Sequence, residues 1–312
     1  MSDQLIEAPR KSRGPLLAVV AVVVIAIIAV IAYVVTRDGD DSSSAAGTSG
    51  KTVRIGVVGA SDPYWDVYTK AAADEGIAVD VVDFTEYTQP NPALDADELD
   101  LNQFQHLVYL ADYNVSNDKD LTPIGSTAIY PLGLYSKQYD TPQDIPDGAT
   151  VSVPDDASNQ ARGLRILQEA GLITLKDGGT LFSDLSDVDE GASRVKVKDL
   201  SADITATSLD DVAAAIINND FVEKAGLKFG DAIATDGPSD AGAAPYVNVF
   251  AARAKDKDNP TYLKLVKIFQ DTTAVTDGLQ DVSGDTAVLV KEPAADLQTL
   301  FASVEKDTAA TK

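Results

Sequence analysis

The chain has 312 residues, a formal net charge of -24 and no cysteine. A surface that acidic repels nucleic acid and anionic headgroups, and without thiols there is no disulfide, thiolate nucleophile, cysteine-based metal site or cysteine-linked lipid. Almost all the excess charge follows residue 50, leaving a length that suits one large domain or two lobes of roughly 100–150 residues.

Residues 16–35 are apolar and uncharged, and as a helix they span about 30 Å, the thickness of a hydrocarbon core. Arg10, Lys11 and Arg13 precede the run, whereas Arg37 is followed by Asp38, Asp40 and Asp41. The positive-inside rule therefore makes residues 1–15 a cytoplasmic tail and places the rest outside the membrane. A cleaved signal peptide is the competing reading, but the run exceeds the roughly 7–15 residues of such a region. Residues 36–50, rich in Gly and Ser, read as a flexible linker.

Residues 53–58 pattern as a buried strand, 63–75 as an amphipathic helix closed by Gly76, and 77–84 as a second strand. That is a βαβ unit, which predicts parallel strands in an α/β sheet. Its first turn lacks the GxGxxG spacing and the chain has no GxxxxGK[ST], so neither dinucleotide nor P-loop binding is supported. A short helix over 91–96, a strand over 98–104 and a helix over 107–113 follow. Asn102, Gln103, Phe104, Gln105 and His106, the only histidine, then fall at a strand's end, where ligands bind in open α/β sheets. A structural histidine satisfied by its neighbours is the alternative.

Residues 126–135 mix strand formers with Pro131 and Gly133 and read as an extended crossover; 137–148 is a polar connection. Val151 and Val153 alternate with Ser152 before Pro154 ends the strand. Asp156 then caps a helix whose apolar positions are Ala161, Leu164 and Leu167, with Gly171 and Leu172 as its C-terminal cap. Asn159 and Arg162 share one face of its first two turns. Unpaired helix N–H groups, an amide and a planar guanidinium converging there suit a carboxylate ligand. The alternative is that Arg162 pairs with Asp155 or Asp156. The acidic stretch 174–193 misses the EF-hand spacing and reads as a solvated loop. Beyond it the pattern predicts a strand over 195–200, a helix over 210–225 ending at Gly226, a second crossover strand over 244–252 with Asn248 in its middle, and helices over 262–269 and 296–304.

Several phrases resemble the NlpA-type methionine-binding lipoproteins, the substrate-binding proteins of methionine ABC importers. They are Tyr87-Thr-Gln-Pro-Asn91-Pro-Ala-Leu94, Asp100-Leu-Asn-Gln-Phe-Gln-His106 with Tyr109, Pro131-Leu-Gly-Leu-Tyr-Ser-Lys137, Val153-Pro-Asp-Asp-Ala-Ser-Asn159 with Arg162, Ala225-Gly-Leu227 and Pro245-Tyr-Val-Asn248. The resemblance implies an α/β, two-lobed, type II periplasmic-binding-protein-like fold with two crossover strands. Lobe 1 is then residues 51–127 plus 248–312, and lobe 2 residues 128–247. It further implies that Tyr87, Phe104 and His106 surround a thioether and that Asn159, Arg162 and Asn248 hold the amino-acid end, with Tyr109, Asn219 and Asp220 added to the ligand-binding set. No metal or cofactor is implied.

Departures from the family pattern bear on the ligand. The usual lipidated cysteine is replaced by an apolar anchor, Asp220 stands where the pattern Asn-x-Asn-Tyr-Ala has its second amide, and residues 236–244 are longer than usual, with Ala244 in place of a serine. The expected function is a membrane-anchored, single-pass, extracytoplasmic binding protein that delivers L-methionine or a similar amino acid to an ABC permease and its ATPase. Another amino acid, a methionyl dipeptide, or a sensory ectodomain of the same fold are the alternatives. One histidine, no cysteine and no GxSxG elbow argue against an enzyme.

Overall fold

The computed structural model describes residues 51–239 and 242–312. Its first sheet is built on β1 (Val53–Val58), which is buried along nearly its whole length and pairs in parallel with β2 (Val79–Phe84) across α1 (Tyr64–Asp74). The βαβ unit is thus as the pattern predicts. After α2 (Pro90–Asp95), β3 (Leu101–His106) returns beside β1, and α3 (Leu107–Asn117) starts at the very end of that strand. The strand lies later than 98–104, so that His106 is its last residue and caps α3. Trp65, Tyr68, Phe250 and Phe269 pack against one face of this sheet, and Leu94, Leu107, Leu110 and Phe301 against the other. Large apolar side chains on both faces supply most of the driving force.

The chain leaves this sheet after β4 (Thr122–Ser126), makes the short β5 (Ala128–Ile129), and enters a second sheet as β6 (Gly133–Tyr135). Then come β7 (Thr150–Pro154), α4 (Ala157–Glu169), β8 (Lys196–Leu200), α5 (Ala202–Thr207), β9 (Ala214–Ile217), α6 (Asn219–Val222) and β10 (Ala234–Thr235). It returns to the first sheet as β11 (Asn248–Ala252), followed by α7 (Pro260–Asp271), α8 (Thr273–Val282), β12 (Val288–Leu289), which pairs with β5, and α9 (Ala294–Ala309). Strand orders are β2-β1-β3-β11-β4 and β10-β6-β9-β7-β8. Two passages between sheets, after residues 126 and 235, are the two crossovers of a two-lobed α/β binding-protein fold. At Gly125 an added Cβ would lie 2.1 Å from Val266, so α7 crosses β4 too closely for a side chain.

One element differs in kind from the sequence expectation. Residues 210–225 are not one helix: Ala214, Ala215, Ile216 and Ile217 form β9, every residue buried, between β6 and parallel β7. Alanine favours helix, but an uninterrupted apolar run covered on both faces is stable only inside the sheet, and tertiary burial outweighs propensity. Helix survives as α6 and a 3-10 turn over Glu223–Ala225, ended by Gly226 at φ +71° as expected. α5 and α8 arise where no element was expected. Residues Ala244–Tyr246 form a 3-10 turn, so Asn248 opens β11 instead of occupying its middle.

The acidic 174–193 stretch carries only two 3-10 turns and one isolated bridge, Leu175 to Val188, in keeping with a solvated loop. The expected tail, membrane span and linker over 1–50 lie outside the described residues. Among the described residues no helix is long and apolar enough to cross a membrane.

Candidate functional site

The carboxyl ends of β1, β3, β7 and β9 face a cleft between the two sheets, the place where open α/β sheets bind ligands. Antiparallel pairing sets Asn248, the first residue of β11, opposite His106, the last of β3. From the second sheet, α4 starts after β7 and brings Asn159 and Arg162 forward, while Asn218 and Asn219 follow β9 directly. Together they line a narrow slot between the two sheets with a cavity volume of only about 20 Å³, so a ligand of amino-acid size enters it only when the cleft widens.

Of the nine expected residues, Tyr87, Phe104, His106, Tyr109, Asn159, Arg162, Asn219 and Asn248 line this slot, with Gln105, Tyr130 and Asn218 added. Asp220 does not. It lines a neighbouring chamber of about 140 Å³ with Asp62, Tyr64, Tyr130 and Glu223, and accepts a hydrogen bond from the Tyr87 hydroxyl at 2.6 Å. Tyr130 belongs to both spaces. Asn218 carries a sequence signal, since it is the first amide of the Asn-x-Asn pattern; Tyr130 lies in the predicted crossover but nothing local marks it.

One end of the slot is aromatic. Tyr87, Phe104 and Tyr109 stand with ring centroids 5.7–6.1 Å apart, and Phe221 closes on Tyr87 at 5.2 Å. Tilted and edge-on rings at such spacings form a polarisable apolar wall suited to an alkyl chain or a thioether.

The other end is polar, and its hydrogen bonds can be followed atom by atom. His106 Nδ1 accepts from the backbone N–H of Tyr109 at 3.1 Å, capping α3. The ring proton therefore sits on Nε2, which faces Asn159 Oδ1 at 3.3 Å. Burial, and then the Arg162 charge, depress the His106 pKa to about 3, so the imidazole is neutral. Asn159 Nδ2 shares one N–H between the two Asp156 carboxylate oxygens, each at 3.1 Å, and Asn159 Oδ1 accepts from Asn218 Nδ2 at 3.1 Å. Its oxygen, shared by His106 Nε2 and Asn218 Nδ2, is fully engaged within the protein.

The N-terminus of α4 is occupied as well. Asp156 accepts the backbone N–H of Asn159 at 2.9 Å, so the chain's own carboxylate fills the anion site that the sequence offered to a ligand. This narrows carboxylate recognition to Arg162. That guanidinium is not paired with Asp155 or Asp156. Nε donates to Asp236 at 2.5 Å, Nη2 to the Tyr130 carbonyl at 2.8 Å, and the group lies 4.3 Å from the centroid of the Tyr246 ring. With 7% of its side chain exposed, Arg162 is held rigidly, and Nη1 has no partner among the described residues.

Asn218 Oδ1 is buried and unpartnered, and the side chain of Asn248 makes no hydrogen bond among the described residues. Buried polar atoms are normally satisfied. A free guanidinium N–H, a free amide oxygen and a second free amide around one slot are what a zwitterion supplies: a carboxylate for the first, an ammonium for the second.

The family model described as NlpA lipoprotein matches residues 53–289. A probable D-methionine-binding lipoprotein MetQ of Pasteurella multocida is 36% identical over 252 residues, covering 78% of this chain and 90% of that one. A nutrient-binding protein from Burkholderia cenocepacia, solved bound to methionine, superposes with a TM-score of 0.71 at 36% identity, covering 76% and 99% of the two chains. The substrate-binding protein of a methionine transporter from Streptococcus pneumoniae gives 0.72 at 32%, covering 77% and 96%.

Proposed function

This chain belongs to the NlpA lipoprotein family, and on that premise we propose that it is an extracytoplasmic substrate-binding protein that captures methionine, or an amino acid close to it, for an ABC permease and its ATPase. The observation that carries the reading is the slot itself, with an aromatic wall at one end and unpaired groups for a zwitterion at the other. Arg162 Nη1 takes the carboxylate, Asn218 Oδ1 the ammonium, Asn248 bridges on the side of the first sheet, and Tyr87, Phe104 and Tyr109 enclose the side chain. Methionine fits such a wall because its thioether is flexible and polarisable.

Capture needs no turnover. His106 is neutral, its Nδ1 is engaged as an acceptor, and its work is to orient Asn159. The lobes, 51–127 plus 248–312 and 128–247, hinge about the two crossovers. The uncharged run at 16–35 anchors the protein in the cell membrane with its N-terminus in the cytoplasm, the part that a lipidated cysteine plays in the family. Mass spectrometry of small molecules released by denaturing the full chain, purified from its native membrane without added amino acids, tests the reading. Methionine is the expected species. A different class of metabolite, recovered in stoichiometric amount, would refute the assignment.

A further inference from the structure

Asp220 stands where the family pattern has an amide, and it has left the slot. It joins the two sheets instead. Tyr87, which follows β2 of the first sheet, meets Asp220, which follows β9 of the second, at 2.6 Å, while Asn219 Nδ2 donates to the other carboxylate oxygen at 2.8 Å. The contact forms part of the partition between slot and outer chamber, and the lobes cannot part without breaking it.

The groups around it are unusual for a carboxylate. From the first sheet come Asp62 and Tyr64, from the crossover Tyr130, and from the second sheet Glu223 and Lys224. Three acids share the chamber with one lysine, and Lys224 is also 4.9 Å from the centroid of the Phe221 ring. Opening the cleft would return Asp220 to water and separate it from Asp62 and Tyr87. An amide at position 220 would make the same contact with no charge to move.

We propose that closing the cleft takes up a proton at Asp220, so that this chain shuts on its ligand more readily as its surroundings acidify. When protonated, Asp220 donates to the Tyr87 oxygen; when ionised, it accepts from the Tyr87 hydroxyl, so the joint survives in both states at different cost. Desolvation, with the charge of Asp62 adding, raises the closed-state pKa to about 7 against the opposing bond from Tyr87. The direction follows by linkage. A carboxyl whose pKa is higher closed than open binds more protons when closed, so falling pH favours closure between the two values and has no further effect below the open one. Asp62, raised to about 6 by burial and Glu223, acts in the same direction at lower pH. His106, depressed to about 3, acts oppositely below its ordinary value near 6.5. The window from pH 8 to 6.5 therefore belongs mainly to Asp220.

The proposal rests on the binding-protein reading but not on the identity of the ligand. Because the chain has no cysteine, Thr88→Cys and Lys228→Cys, both exposed, place spin labels beside the cleft on either lobe of the full chain. Ligand-free pulsed dipolar spectroscopy then reads the closed-to-open ratio, expected to rise about two- to threefold between pH 8 and 6.5, the Asp220 gain being partly offset by His106, and not to rise in the Asp220→Asn variant. A flat ratio in the parent, or an equal rise in the variant, overturns the proposal. Repeating the series with methionine separates the two readings: a pH response without any methionine-induced closure keeps the proton and removes methionine as the ligand.

Discussion

Arg162 illustrates what a single side chain can and cannot reveal before folding. Its place on the first turns of a capped helix is legible from Asp156, Leu164 and Gly171, but its partner is not, because Asp236 lies 74 residues away. Asp236 also accepts the backbone N–H of Leu132 at 2.8 Å, tying the guanidinium to both crossovers. Removing one member of an enclosed pair strands the other charge at a cost of about 3 kcal/mol. Asp236→Ala should lower the unfolding free energy by that amount, read as a lower denaturant midpoint at unchanged slope; an unaltered midpoint would deny Asp236 its role. His106 shows the reverse. Its site position is readable from the strand end, whereas its neutrality depends on burial and on a charge from another element.

At the scale of elements, the segments with clear stops were the readable ones. β1, α1, α4 and the glycine caps at 76, 171 and 226 agree with their sequence signals, each having turn chemistry at its ends. β9 does not, since a short apolar run is ambiguous between buried strand and buried helix until its neighbours are known. Ile216 is fully buried there, and a Cβ added at Gly163 of α4 would come within 3.2 Å of it. Ile216→Ala should cost about 3 kcal/mol in chemical denaturation. On the solvated face of a helix the same change would shift stability by no more than about 0.5 kcal/mol, and a result that small would contradict the strand. The amides of Asn102 and Gln105, candidates for ligand contacts by position, are bonded to each other and to Asn91, although Gln105 also borders the slot. Composition alone does not tell a buried amide network from a recognition surface.

For the molecule as a whole, the two crossovers were the most informative prediction. Pro131 falls in the first passage and Gly133 opens β6 beyond it, whereas the second passage leaves β10 after Thr235 and precedes most of the predicted 244–252 strand: Pro245 stands in a 3-10 turn and Asn248 already opens β11 of the first sheet. The joint between the two sheets left no mark in the sequence, because it depends on side chains 133 residues apart, Tyr87 and Asp220, meeting across the cleft. The central claim is that the slot between the sheets binds one small zwitterion through Arg162. Calorimetric titration of L-methionine into the full chain and into its Arg162→Ala variant tests it most directly. The account predicts one saturable site per chain in the parent, and in the variant an affinity weaker by tenfold or more, about 1.4 kcal/mol or greater. Equal affinity in the two proteins, or no heat with L-methionine or any other amino acid, would contradict it.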